Sequence, residues 1–515
     1  MRAVRGDWVV GVAAAAAFFA RVPSLLWPLR PDEAGFLLVA RSWDAQPDSL
    51  YGHYFVDRPP QLIALMGFTD DLGGPYFHRL VGALLCVLLV VAAAAAGREL
   101  ARWEGVTADA DVRRVARWAA VVAAALVSNA QIDAPAVKGE ILGIPLVMTA
   151  CWLTLRAVRH HSWLEAFLAG LVATLAVGMK QNLVGGLVFG ALVLLGAAAT
   201  RRLTWRRLAT LSAAATAGVA VPVVTTVVWA LAEGVELHTL WYTVVSFRAD
   251  ASAVIAAQDS SGAASRIGTL ATVFVATGMA AIVAWFVLRL PWLTRHLPVP
   301  AVAISAMVLV DLVSVALSGS FWLPYLFAPI PALAMAMAFV LVRDHEVLHV
   351  PAVPRMTRWV IGFAVVSSVI SLIGWMERWA DGMVPVEART GIALAHARGQ
   401  GDTLVVYGGR ADIQFYSQMR SPYPHLWSLP MRTLDPGLED LEDVLTGRNP
   451  PTWVVLAQPV DAWSELGTRP IERSLLRKYE FIASACDEYK IYRINSTIPV
   501  RVEVDCRSPW RAVLG

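Results

Sequence analysis

The chain has 515 residues, 57% of them hydrophobic and only 16% charged, with a net charge of +3 and a mean hydropathy of +0.56. Soluble globular chains are about a quarter charged, so composition alone indicates a membrane protein. A charge this small, with no basic run interleaved with aromatics, excludes nucleic acid as a partner.

Apolar runs of the ~20 residues needed to cross a bilayer core recur up to about residue 379. Eleven spans are expected, near 8–28, 79–96, 115–130, 141–158, 163–179, 183–200, 208–232, 267–290, 299–317, 321–342 and 358–377. The first is bounded by Arg21 and Pro23 with no small-residue cleavage pattern, so it reads as a retained helix rather than a signal peptide. Every second loop is rich in arginine: Arg98, Arg102, Arg113, Arg114 and Arg117, for example, or Arg201, Arg202, Arg206 and Arg207. The positive-inside bias puts these loops and the N-terminus in the cytoplasm. It puts the loops 29–78 and 233–266, and with an odd span count the C-terminal tail, outside the plasma membrane.

From about residue 380 charges, Pro and Gly rise and no spanning run remains. Residues 1–379 therefore read as a membrane domain and 380–515 as an extracytoplasmic α/β domain. Strands are expected at Thr403–Tyr407, Trp453–Leu456 and Glu488–Arg493, and helices at Ala411–Met419 and Leu438–Leu445. Cys486 and Cys506 share this outward domain, so they are either a disulfide or two buried thiols; Cys86 and Cys151 lie inside spans.

The first outward loop carries the chemistry. It opens Arg30-Pro31-Asp32-Glu33-Ala34-Gly35-Phe36 and runs on to Tyr54-Phe55-Val56-Asp57-Arg58-Pro59-Pro60. Pro31 followed by two acids suits a helix start, where the N-terminal dipole favours carboxylates, so Asp32 and Glu33 taken alone read as capping. Their position directly after a span places them at lipid head-group level. Asp57-Arg58 supplies a second charged cluster, and Tyr51, His53 and Tyr54 are suited to binding a sugar. A carboxylate base near a guanidinium is what transfer from a phosphate-linked donor requires: the base takes the hydroxyl proton and the cation stabilises the departing phosphate.

A span, then Pro-Asp-Glu-Ala, then Tyr-Phe-Val-Asp-Arg-Pro-Pro about twenty residues later, resembles the C-type (GT-C) membrane glycosyltransferase superfamily. The resemblance is nearest to the family 39 protein mannosyltransferases and the bacterial aminoarabinose transferase-like enzymes. It covers the first hundred residues well and the remainder in architecture. It implies a polyprenyl-phosphate sugar as donor, inversion at the anomeric carbon, and transfer of a mannosyl, other hexosyl or pentosyl group to a glycan, protein or lipid acceptor. By position it implies Asp32 as catalytic base supported by Glu33, with Asp57 and Arg58 at the donor phosphate. Arg58 stands where many relatives have Lys, which keeps the charge and adds a planar fork.

Further candidates lie on the same side. Lys138 and Glu140, between the third and fourth spans, either border the cavity or snorkel at the interface. Lys180, at the tight turn after the fifth, is placed to meet a phosphate. His238 sits in the second outward loop among aromatics that equally suit an interfacial belt, and Tyr325 opens the tenth span within an aromatic-Pro-Tyr segment. Asp311 is an acid inside the ninth span, a functional position by default. Tyr407-Gly408-Gly409-Arg410 matches neither nucleotide-loop pattern and reads as a tight turn. No His/Cys/Glu cluster has metal-ligand spacing, so no bound cofactor or metal is expected, although a divalent ion at the carboxylates stays open. The alternative reading is a transporter of lipid-linked saccharide, against which stands the lack of an internal repeat.

Overall fold

The structure, a computed structural model, describes residues 7–103, 105–133, 136–257, 260–348, 355–380, 385–462, 467–497 and 499–507. It is a bundle of apolar helices with a small sheet domain seated on one end. Seven helical stretches are long and apolar enough to cross a membrane: Trp8–Leu26, Pro60–Trp103, Gly139–His160, Trp205–Ala232, Pro298–Ala316, Leu323–Val342 and Arg355–Arg378. An eighth is the pair Ala264–Ala276 and Met279–His296, bent by 67° at its break, and Trp163–Met179 and Gly185–Ala199 are shorter apolar helices. The chain is a multi-pass membrane protein.

Two departures from the expected spans have local causes. The second span is the far part of a 44-residue helix, Pro60–Trp103, broken at Gly74, whose φ of 67° and ψ of −157° suit glycine. Residues 60–72, expected as outward loop, are thus helical. The span near 267–290 is interrupted at Gly278, which has φ 85°.

Between the first two apolar stretches lies the helix Pro31–Arg41. It packs on Pro60–Trp103 and under the sheet domain, whose helix Ala411–Ser417 lies against it.

The sheet has strands β1 (Leu404–Tyr407), β2 (Trp453–Leu456), β3 (Tyr479–Ala485) and β4 (Tyr489–Ile494) in the order β1-β2-β4-β3. β1 and β2 are parallel, and the other neighbours antiparallel. Alternate residues of the parallel pair β1 and β2 feed opposite cores. Leu404, Val406, Trp453 and Val455 join Leu394 and Ile413 on one face. Val405, Tyr407, Val454 and Leu456 join Leu441, Leu445, Ile471 and Leu475 on the other. Helices therefore cover both faces, which is why β1 and β2 read as continuous apolar runs. Cys486, in the β3–β4 turn, is disulfide-bonded to Cys506.

Candidate active site

The loop after the first helix is held by a group that sequence reading passed over. Arg79, 1% exposed, lies on Pro60–Trp103 and donates to the carbonyls of Ser24, Trp27 and Pro28, the last at 2.9 Å. It also forks onto Glu33, with Nη2 to Oε2 at 2.8 Å and Nε to Oε1 at 3.1 Å. Glu33 is fully buried and accepts the N–H of Arg30 at 3.0 Å and of Val137 at 2.8 Å. Pro31 stands at the first helical position. The capping role thus falls to Glu33, whose oxygens are occupied four times over, as many bonds as a carboxylate accepts. Glu33 fixes the helix start and has no capacity left for reacting atoms.

Asp32 is left to face outward from that fixed turn, with its side chain 35% exposed. Its Oδ2 is 3.1 Å from Lys138 Nζ, which lies equally 3.1 Å from Asp133 Oδ2. Its Oδ1 accepts the indole N–H of Trp427 at 3.1 Å. Burial alone pushes this carboxyl up, but Lys138 and Arg58 more than offset it and hold it at about 2. Burial likewise opposes the charge on Lys138, yet Asp32 and Asp133 hold it well above the ordinary lysine range.

A second cluster stands beside the first. Arg58 Nη1 donates to Asp57 Oδ1 at 2.7 Å, and Asp57 Oδ2 lies 2.8 Å from Arg248 Nε. Tyr51 Oη donates to the Arg58 carbonyl at 2.5 Å, and Gln181 Nε2 to the Asp57 carbonyl at 2.8 Å. Lys180 is ion-paired with the buried Glu140, and its Nζ lies 4.0 Å from the centre of the Tyr325 ring. Burial pushes Lys180 down to about 8, with Arg58 and Arg248 acting the same way and Glu140 against. Arg58 is held above its usual value despite burial, chiefly by Asp57, then Asp32, Tyr325 and Glu140. The structure therefore brings Asp32, Asp57, Arg58, Lys138, Glu140, Lys180 and Tyr325 into one charged neighbourhood.

Other candidates lie elsewhere. Tyr54 Oη accepts the N–H of Ser421 at 3.0 Å and His53 Nε2 sits 2.7 Å from the Ser421 carbonyl, so both side chains are engaged in fastening the first loop to the C-terminal domain. His238 is exposed on the helix Leu237–Trp241 and stacks on Tyr242. Asp311 is buried in Pro298–Ala316 against Gly185. Among the described residues no three His, Cys, Asp or Glu side chains converge as a metal site would need; Lys138 Nζ occupies the point between Asp32 and Asp133. Arg79, Arg248 and Trp427 were not singled out for this neighbourhood from sequence. Only Arg248 had a signal, as a charged residue among the aromatics of the loop 233–266.

No family model and no curated protein matches the chain. Solved structures do. The crystal structure of ArnT from Cupriavidus metallidurans bound to undecaprenyl phosphate matches with a TM-score of 0.59, 15% identity, and coverage of 95% of this chain and 98% of that one. This chain has the C-type membrane glycosyltransferase fold. ArnT in the apo state matches with a TM-score of 0.54 at 15% identity, over 94% and 97% of the two chains. At this identity the C-type likeness speaks for the architecture, so the roles of individual side chains rest on the geometry above.

Proposed function

We propose that the chain is an inverting glycosyltransferase that moves a sugar from a polyprenyl-phosphate donor to an acceptor hydroxyl at the outer face of the plasma membrane. One observation carries the reading: a partly exposed carboxylate, Asp32, is fixed at a helix start among four cations, Lys138, Arg58, Lys180 and Arg248, at one end of an apolar bundle. Such a set suits a lipid phosphate and the charge that develops as it leaves. The likeness to a fold whose ArnT structure holds undecaprenyl phosphate supports it.

The acceptor oxygen attacks the anomeric carbon from the face opposite the phosphate. The bond from that carbon to the phosphate oxygen breaks, and its electron pair leaves with polyprenyl phosphate. The acceptor proton passes to Asp32. A single displacement inverts the centre, and a phosphate leaving group needs no second acid. At about 2 the resting Asp32 is a poor base, because the best base titrates near the working pH. A donor phosphate shares Lys138 and Arg58, weakens their hold on Asp32 and raises its basicity.

The rival transporter reading expects working charges near the bilayer midplane at broken helices. Here the break between Ala276 and Met279 carries Thr277 and Gly278; beside the break at Gly74, Asp70 pairs with Arg41 and Arg79 with Glu33, and the charges of the site gather at helix ends. Supplying membranes that contain the protein with a panel of labelled polyprenyl-phosphate sugars is the test. The expected result is a labelled acceptor of inverted anomeric configuration. Movement of intact lipid-linked sugar across the membrane with no transfer would overturn the reading.

A further inference from the structure

The two oxygens of Asp32 have separate holders. Lys138, at the start of Gly139–His160, takes Oδ2. Oδ1 is taken by Trp427, which lies 395 residues away in the C-terminal domain.

The approach of Trp427 is built into the sequence of the first loop. A Cβ placed on Gly35 would stand 2.2, 2.7 and 2.9 Å from three atoms of the indole, far inside contact distance. Gly35 occupies the interior of Pro31–Arg41, where alanine would favour the helix by ~1 kcal/mol. The helix gives no reason for glycine there; the indole does. Phe36, the next residue, sets its ring 5.6 Å from the same indole.

The chain around Trp427 is anchored from both sides. Ser421 is held by Tyr54 and His53, and Phe55 N–H donates to the Pro424 carbonyl at 3.2 Å. Behind it, the turn Tyr407–Arg410 closes on Ser428: Gly409 has φ 77°, and a Cβ there would stand 2.4 Å from Ser428 N. The glycine pair, which reads as a tight turn in the sequence, thus seats the start of the helix Ser428–Leu434, directly after Trp427.

We propose that Trp427 is a positioning residue for Asp32, which makes the C-terminal domain a working part of the transfer site. The proposal rests on the reading of Asp32 as base. Held by an ammonium on one oxygen and an indole N–H on the other, the carboxylate keeps one orientation, and a remaining lone pair meets the acceptor hydroxyl.

The test uses the full-length protein, the donor identified by the lipid-linked sugar panel, and undecaprenyl phosphate as the binding probe. Trp427→Phe keeps an aromatic ring on Phe36 and removes the N–H. Gly35→Ala leaves Trp427 and Asp32 intact but displaces the indole. Both are expected to lower kcat by about 10- to 100-fold, the effect of misplacing a reacting group. Both are expected to leave the Kd for undecaprenyl phosphate within about two-fold, the signature of a residue that acts on the chemical step. If Trp427→Phe does not fold, Gly35→Ala decides on the same two readouts. Wild-type kcat in either folded variant, with Asp32→Asn inactive, overturns the role of Trp427 and leaves that of Asp32 standing. Full turnover by Asp32→Asn, or no transfer from any lipid-linked sugar by the wild type, overturns the reading beneath it.

Discussion

The two ends of the bundle treat charge in opposite ways. The helix Gly139–His160 spans both: at ~1.5 Å per residue its ends lie about 33 Å apart, with Lys138 beside one and Arg159 in the last turn of the other. At the Arg159 end the arginines lean into solvent. Arg159 pairs with Glu99 at 2.6 Å with its side chain 34% exposed, and Arg117 with Asp7 at 2.9 Å with 38% exposed. At the Lys138 end several cations are withdrawn, Arg79 at 1% exposed, Lys180 at 10% and Arg58 at 15%, while Arg248 at 34% and Arg30 at 40% are as open as the arginines of the other end. Solvated arginines report orientation and cost little. Buried cations carry a desolvation penalty that only close anions offset; Glu33, Glu140 and Asp57 supply them here, and the proposed lipid phosphate would share Arg58 and Lys180 with those carboxylates.

The comparison breaks first, and by the largest margin, on stability. Arg79→Met leaves Glu33 buried without its cation and is expected to cost about 3–5 kcal/mol, read as a lowered Tm in detergent. Arg159→Gln at the other end is expected to cost about 0–1 kcal/mol. Equal losses would mean that the two ends are not distinct.

Ligand affinity sharpens the contrast next. Arg58→Gln and Arg248→Gln each remove a charged donor and are expected to weaken undecaprenyl phosphate binding by about 10- to 100-fold, the scale of a charge-assisted hydrogen bond. Arg202→Gln, which loses the contacts with the Trp103 carbonyl and ring, is expected to leave it unchanged. The smallest effect is a pH dependence. Lys180 titrates at about 8, below its ordinary value, so it is charged below that pH and neutral above it. Affinity for undecaprenyl phosphate is therefore expected to hold below pH 8 and to fall as pH rises through it. Lys180→Arg, which keeps its charge throughout, is expected to flatten that profile.

Much of this was legible in the chain. Hydropathy and arginine spacing announced a multi-pass protein with a separate tail. The Pro-Asp-Glu-Ala and Tyr-Phe-Val-Asp-Arg-Pro-Pro segments marked the loop in which Asp32, Asp57 and Arg58 come together. Strands β1 and β2 were readable as short apolar runs and β4 as a strand of alternating character, but β3, Tyr479–Ala485, was not, because small and polar residues fill most of its edge positions. Residue type alone did not separate Asp32 from Glu33, and only the family resemblance named Asp32 as base with Glu33 in support; what holds Glu33 at the helix start is Arg79, forty-six positions away. Trp427 lies further still, and neither composition nor periodicity records a contact between a loop and a distant domain. His53 and Tyr54, chosen as sugar ligands for their chemistry, show the same gap, since their partner Ser421 comes from that domain.

The most direct measurement is single-turnover transfer by Asp32→Asn from a polyprenyl-phosphate sugar, with undecaprenyl phosphate affinity measured on the same preparation. Loss of the carboxylate is expected to slow the chemical step by about 10²–10⁴-fold, the range for a general base, while the variant still binds the lipid phosphate through Arg58, Arg248 and Lys180. Transfer at the wild-type rate would contradict the assignment of Asp32 as the base.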